Sequence, residues 1–264
     1  MSYQKPTAIS SPSKKGELIN VLKESCRKEQ FATLKMGTPG PSVHDDLTIS
    51  ASKYTCSTQK SMPQTVGSPN LAGIMLGLSV NIPRWKKGST VKWAASYTGY
   101  PTLNHATYAA SQLNAATEVW NSLDIGVTFE WVTDLEDAAF VLVYGGDQGT
   151  VLAESFFPNE EPLNTVFVYQ GAFQPGSKNI QKEIFLHELG HILGLRHEFA
   201  DRPFRGNPTE GGAIAFGERN EFSVMSYNFP PTIQESDKRD TRAFYDFTGR
   251  SIGPYTIVDM IPDN

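Results

Sequence analysis

A chain of 264 residues, 39% hydrophobic and 19% charged, is long enough for one large domain or a domain with an extension, and Cys26 and Cys56 alone cannot supply a disulfide framework. No apolar run is long enough to span a bilayer, which argues against a helical membrane protein. Residues 1–80 are net +4, with 9 basic and 5 acidic side chains, and residues 81–264 net −9, with 14 and 23; that asymmetry disfavours a nucleic-acid surface on the acidic part and favours docking of the N-terminal segment or of cationic peptides.

The opening MSYQKPTAISSPSKK lacks the apolar stretch of a secretory signal, so the chain is expected to be intracellular if Met1 is its native start and secreted if a targeting segment has been removed. One helix is expected from about Lys15 to Lys35, with loops at 36–42 and 62–70. From residue 82 the pattern tightens. RWKKGSTVKWAASY alternates as a strand, and TLNHATYAASQLNAATEVWNSL repeats Ala109, Leu113, Ala116, Trp120 and Leu123 at helical spacing, with Thr102 or Asn104 as cap. VTFEWV puts Val127, Phe129 and Trp131 on one face, and AAFVLVYGG is the continuous apolar run of a strand covered on both sides. TVLAESFFP and NTVFVY read as two further short strands, and SKNIQKEIFLHELGHILG as a second long helix. This order points to an α/β sandwich on one twisted sheet.

The last of these segments carries the chemistry. His187 and His191 lie four residues apart and project from one helix face, so two imidazoles can meet one ion. Glu188 sits beside them, where a carboxylate reaches a water without ligating the metal, the position of a general base. Gly194 permits the positive φ at which a helix stops, and the turned chain brings His197 to the same ion. Three neutral ligands leave a fourth place open, a catalytic rather than a structural zinc design. A buried helix with hydrogen-bonded histidines is the plain alternative; Gly194 and His197 at these offsets favour the metal. A scheme with a distant glutamate as third ligand, Glu210, is disfavoured because RGNPTEGGA reads as a loop and His197 already supplies that ligand.

His187-Glu-Leu-Gly-His191-Ile-Leu-Gly194-Leu-Arg-His197 resembles the extended zinc motif of the metzincin metallopeptidases, and SVMSYNF resembles their methionine turn, with Met225 as a hydrophobic floor under the histidines. The layout over roughly residues 82–250 is similar to matrixins and astacins, including a closing helix at IQESDKRDTRAFYDF. The resemblance implies a twisted, mostly parallel sheet with an active-site helix and a C-terminal helix. It also implies one catalytic Zn2+ and TVLAESFFP as the edge strand to which an extended peptide substrate adds. Glu198 is similar to the astacin glutamate that makes a buried contact with a mature N-terminus. Tyr227 is similar to the tyrosine that in astacins and serralysins helps stabilise the tetrahedral intermediate. A second, structural zinc is not expected, since only His44 and His105 remain.

The expected unit is therefore residues 81–264, a zinc endopeptidase with Glu188 and Tyr227 as catalytic residues and His187, His191 and His197 as ligands. Residues 1–80 are an N-terminal extension or an inhibitory prosegment; Cys56, Cys26, Asp45 and Asp46 are available as blocking groups, none within a recognisable blocking motif. The rival readings are a non-catalytic zinc-containing peptide-binding module and a peptide-processing enzyme of narrow specificity. Retention of Glu188 argues against the first, because a pure binding site has no use for a general base.

Overall fold

A computed structural model of the protein describes residues 14–25, 32–38, 40, 56, 58, 74–203 and 209–264. Chain order is α1 (Lys14–Ser25), β1 (Ile74–Leu76), β2 (Asn81–Trp85), β3 (Thr90–Ala95), α2 (Leu103–Asn121), β4 (Thr128–Trp131), β5 (Phe140–Tyr144), β6 (Ala153–Glu154), β7 (Asn164–Val168), α3 (Gln181–Ile192), β8 (Ile214–Phe216), α4 (Glu235–Asp246), β9 (Ser251–Ile252) and β10 (Tyr255–Met260). Among these residues, no helix is long and apolar enough to cross a membrane.

The central sheet runs β4-β3-β5-β7-β6. Its first four strands are parallel, and β6 pairs antiparallel to β7 and forms one edge. The apolar run of β5 is explained by burial on both faces. Phe140 and Leu142 enter the main core with α2 and α3, while Val141 and Ala94 pack with Ile19 of α1 on the other face. Trp93 lies in register with Trp131 and Phe140, stacked at 4.9 and 6.3 Å between ring centroids. Of the two candidate caps, Thr102 and Asn104, it is Thr102 that caps α2. At the other end of that helix the Asn121 amide accepts from the Phe129 N–H at 2.8 Å and donates to its carbonyl at 2.9 Å, so a side chain pairs with the edge strand β4. That contact blunts an otherwise open edge.

Two expectations change. The N-terminal helix does not continue to Lys35: its described part is Lys14–Ser25, and Thr33 bridges to Ser96 with the Leu34 N–H on the Ala95 carbonyl at 2.7 Å. Leu34 is buried by extending β3, a choice that helical periodicity cannot foresee. The mostly parallel central sheet stands as expected, but among the described residues two small sheets accompany it, because β2 pairs with β10 and β1 with β8. The turn at Gly88, φ +91°, carries the chain from β2 to β3. Finally, β1 lies on the N-terminal side of residue 80, yet it is fully buried and antiparallel to β8, far along the chain.

The C-terminal part locks α3 in place. Arg84 on β2 bonds Asp259 of β10 at 2.7 Å and the Phe244 carbonyl of α4, and the Tyr245 hydroxyl of α4 donates to the Leu193 carbonyl at the end of α3 at 3.0 Å. On the opposite side the Trp120 indole of α2 donates to the Leu186 carbonyl at 3.0 Å. The helix that carries the histidines is therefore held from both flanks by side chains that reach its backbone.

Candidate metal centre

α3 ends in a Schellman turn. The Leu195 N–H bonds the Gly190 carbonyl at 2.9 Å and the Gly194 N–H the His191 carbonyl at 2.8 Å, with Gly194 at φ +91°. A Cβ on Gly194 would also meet the Pro83 carbonyl oxygen at 2.4 Å, so glycine is required here for conformation and for space. The turn sends the chain back across the helix, and His187, His191 and His197 converge with ring centroids 4.8–5.2 Å apart. All three are buried. Met225 lies beneath them, and its sulfur sits where Gly190 would carry a side chain, 2.3 Å from an ideal Cβ. The methionine floor thus depends on the glycine inside HELGH.

The outer nitrogens of the rings are all engaged. His187 Nδ1 donates to the Val224 carbonyl at 2.8 Å, His191 Nδ1 to the Leu195 carbonyl at 2.8 Å, and His197 Nδ1 meets Glu210 Oε1 at 2.6 Å. Acceptors at Nδ1 select the Nδ1–H tautomer and turn each Nε2 lone pair inward, as metal ligation needs. Burial, with His197 nearby, lowers the pKa of His187 to about 3, and burial pushes His191 well below its ordinary value. Both rings are therefore neutral near pH 7. Among the described residues, Cys56, His187, His191 and His197 offer ligand atoms all within 4.8 Å of one another. That soft and imidazole donor set fits zinc.

Glu188 is buried against this cluster. Its Oε2 accepts the Ser155 hydroxyl at 2.8 Å and the Thr58 hydroxyl at 2.9 Å. Burial raises its pKa, and those hydroxyls oppose the rise. Tyr227 packs on His197 with ring centroids 4.9 Å apart, and its hydroxyl donates to the Cys56 carbonyl at 3.4 Å. Burial raises its pKa, so the phenol keeps its proton. The six residues singled out from the motifs, the three histidines with Glu188, Met225 and Tyr227, are thus brought together.

Of the four candidate blocking groups, Cys56 reaches the cluster, with Sγ 3.6 Å from His191 Nε2; Cys26, Asp45 and Asp46 lie outside the described residues, so any Cys26–Cys56 pairing does too. Burial, and then Glu188, push the Cys56 thiol up. A divalent cation among these nitrogens would reverse that bias. His105 is spent at the start of α2, where its Nδ1 meets the Thr102 hydroxyl at 2.7 Å, and His44 lies outside the described residues.

Three contributors escaped the sequence reading, and a fourth, Glu210, was weighed there only as a ligand. Thr58 and Ser155 hold Glu188, Glu210 backs His197 from the far side of the ring, and Asp237 supports His187 at one remove. Asp237 accepts the Ser223 hydroxyl at 2.6 Å and the Val224 N–H at 2.8 Å, and Val224 is the residue whose carbonyl His187 meets. Only Asp237 left a local trace, as N3 of a helix start in QESD, where it closes a capping box with Gln234.

Glu198, next to the third histidine, accepts the Asn220 N–H at 2.8 Å in a buried setting. Burial raises its carboxyl from 4.5 to about 8, against the pull of that N–H and of Arg219. The folded state thus prefers the protonated acid, whose contribution is complete below the unfolded value and is lost as pH rises through about 8. In urea titrations with a chelator present, stability is expected to fall more in the wild type than in Glu198→Gln as pH rises across that window, by on the order of a few kcal/mol. Parallel profiles for the two proteins would refute this.

Comparison with known proteins extends the picture. A family model described as dual-action HEIGH metallo-peptidase matches residues 87–218, half of the chain; HELGH here differs from that name by leucine for isoleucine. Matrix metalloproteinase-25 of Mus musculus is 26% identical over 228 residues, covering 78% of this chain and 36% of its own. Serralysin C of Dickeya chrysanthemi is 38% identical over 53 residues, 20% of this chain and 11% of its own. Metalloprotease AprA of Pseudomonas entomophila is 39% identical over 59 residues, 22% and 12%. The chain thus spans about a third or less of the length of these relatives. Among solved structures, high choriolytic enzyme 1, a hatching enzyme zinc-protease of the medaka Oryzias latipes, aligns at TM-score 0.43 and 15% identity, over 62% of this chain and 94% of that one.

Proposed function

We propose, for a chain that belongs to the dual-action HEIGH metallo-peptidase family and is a zinc metallopeptidase of metzincin type, that it cleaves peptide bonds internally and is latent in the conformation described. One observation carries the proposal: three buried imidazoles and the Cys56 thiol surround one point, and beside them the Glu188 carboxylate accepts a hydroxyl, Thr58, from the same N-terminal segment. His187, His191 and His197 would hold the ion. Zinc, when bound there, supplies Lewis acidity toward a water and a peptide carbonyl.

The remaining work falls to side chains. Glu188, held by the Ser155 hydroxyl, takes a proton from the attacking water and returns it to the leaving amine. Tyr227 keeps its proton and donates a hydrogen bond as charge builds on the carbonyl oxygen, a contact worth roughly 3 kcal/mol. A substrate peptide adds along β6, the edge of the central sheet. Supporting this, the Ser155 N–H just past β6 already has an N-terminal-segment partner, the Thr58 hydroxyl at 2.8 Å. Residues 56 and 58 thus stand where substrate and water would be, which favours the prosegment over the plain extension. The peptidase unit itself begins before β1, which pairs with β8.

The test is cleavage of a diverse peptide library, with new termini read by mass spectrometry, by the full chain and by a chain starting at residue 73. Cleavage is expected from the shorter form and abolished by a zinc chelator. Cleavage that persists in chelator removes the mechanism, and zinc-loaded forms that cut nothing favour the non-catalytic binding module.

A further inference from the structure

We infer that Glu210 is the positioning residue of the third imidazole: its carboxylate holds His197 in the Nδ1–H form, and Arg196 holds the carboxylate. The inference rests on the metallopeptidase reading and deepens it. His187 and His191 meet backbone carbonyls of Val224 and Leu195, acceptors that the fold delivers automatically. His197 lies beyond the helix and meets a side chain instead, Glu210 Oε1 at 2.6 Å. The other oxygen, Oε2, accepts from Arg196 Nη2 at 3.3 Å.

Arg196 is itself pinned. Its guanidinium donates to the Gly77 carbonyl and its backbone N–H to the Met75 carbonyl at 2.7 Å, both from the β1 region, and it lies over the Phe157 ring. The side chains of His197, Arg196 and Glu210 are 1, 2 and 12% exposed, so this chain of contacts is shielded from water. A guanidinium buried this deeply needs an anionic partner. Glu210 supplies it and spends its second oxygen on the imidazole. A carboxylate at Nδ1 fixes the tautomer, orients the ring and raises the basicity of the opposite nitrogen. Because the carboxylate addresses the far side of the ring, Glu210 is no ligand: it acts through His197.

The experiment uses the full chain, with Glu210→Ala and Glu210→Gln. Zinc affinity is read by competition with a chromogenic chelator, and the proton-bearing ring nitrogen of each histidine by 15N NMR of the metal-free protein. Glu210→Ala is expected to raise the zinc Kd by about 10–100-fold and to move His197 alone to mixed tautomers; Glu210→Gln, which keeps an acceptor oxygen, is expected to lose less. Where the alanine variant does not fold, the isosteric glutamine variant carries the test, with an affinity loss still expected. Weaker zinc binding with an unchanged His197 tautomer would overturn the assignment, since it reports only a loosened loop. Affinities within about twofold of wild type would also overturn it. A wild type that takes up no zinc removes the metallopeptidase reading as well, whereas a zinc-binding wild type with unaffected variants removes this assignment alone.

Discussion

Glu188→Gln, made in the chain starting at residue 73, is expected to lower kcat/KM for peptide cleavage by about 10²–10⁴-fold without loss of zinc. The substitution keeps the shape of a fully buried side chain and an oxygen for the Ser155 hydroxyl, so the helix and its histidines stay in place. What it removes is the capacity to take up a proton at the point where the three imidazoles converge. Zinc content by atomic absorption separates the two ways of losing activity. A variant that cleaves as well as wild type would exclude Glu188 as the base, and one that also loses its metal would show that the carboxylate supports the site rather than the reaction.

The second large effect concerns the N-terminal segment. Cys56 approaches His191, Thr58 donates to Glu188, and the Tyr227 hydroxyl is turned to the Cys56 carbonyl, so three groups proposed for catalysis are engaged at once. Two such contacts of roughly 1–1.5 kcal/mol each hold the closed form over the open one by on the order of 10–100-fold. Cys56→Ser combined with Thr58→Val in the full chain is therefore expected to raise cleavage by about that factor, toward the rate of the chain starting at residue 73.

Where the segment is cut decides whether release is harmless. A chain starting at residue 81 also loses β1, whose Ile74, Met75 and Leu76 are buried, and the two carbonyls that satisfy Arg196. Leaving a buried donor without its acceptor costs about 1–3 kcal/mol per group, so this form is expected to unfold at clearly lower urea concentration than the chain starting at 73. Equal stability of the two forms would show β1 to be dispensable. A double variant no faster than the wild-type full chain would return residues 56 and 58 to the role of a packed extension.

Much of this was legible in the residues because the signals are local. His187 and His191 share a helix face by the 3.6-residue period, Gly194 marks a stop at positive φ, and both facts follow from backbone geometry within one or two turns. The strand runs at 90–95 and 140–144 are equally local: alternation, or an unbroken apolar stretch, states how many faces are covered. Thr102 was readable as a cap for the same reason.

The tertiary structure alone decided whatever joins distant parts of the chain. Cys56 is 135 residues from His191, Thr58 is 130 from Glu188 and 97 from Ser155, Gly77 is 119 from Arg196, and Val224 is 37 from His187. No periodicity encodes such pairs, since a threonine or a glutamate in a loop has the same local signature whether it faces water or a buried imidazole. The same holds for β1 with β8, β2 with β10, and Leu34 beside β3, short segments whose partner is chosen by packing rather than by propensity. The sequence by itself therefore determined the chemistry that the site can perform, because ligand spacing is local. Only the folded chain decided what orients each ligand and what stands in front of them, because those contacts exist only once remote segments are buried together.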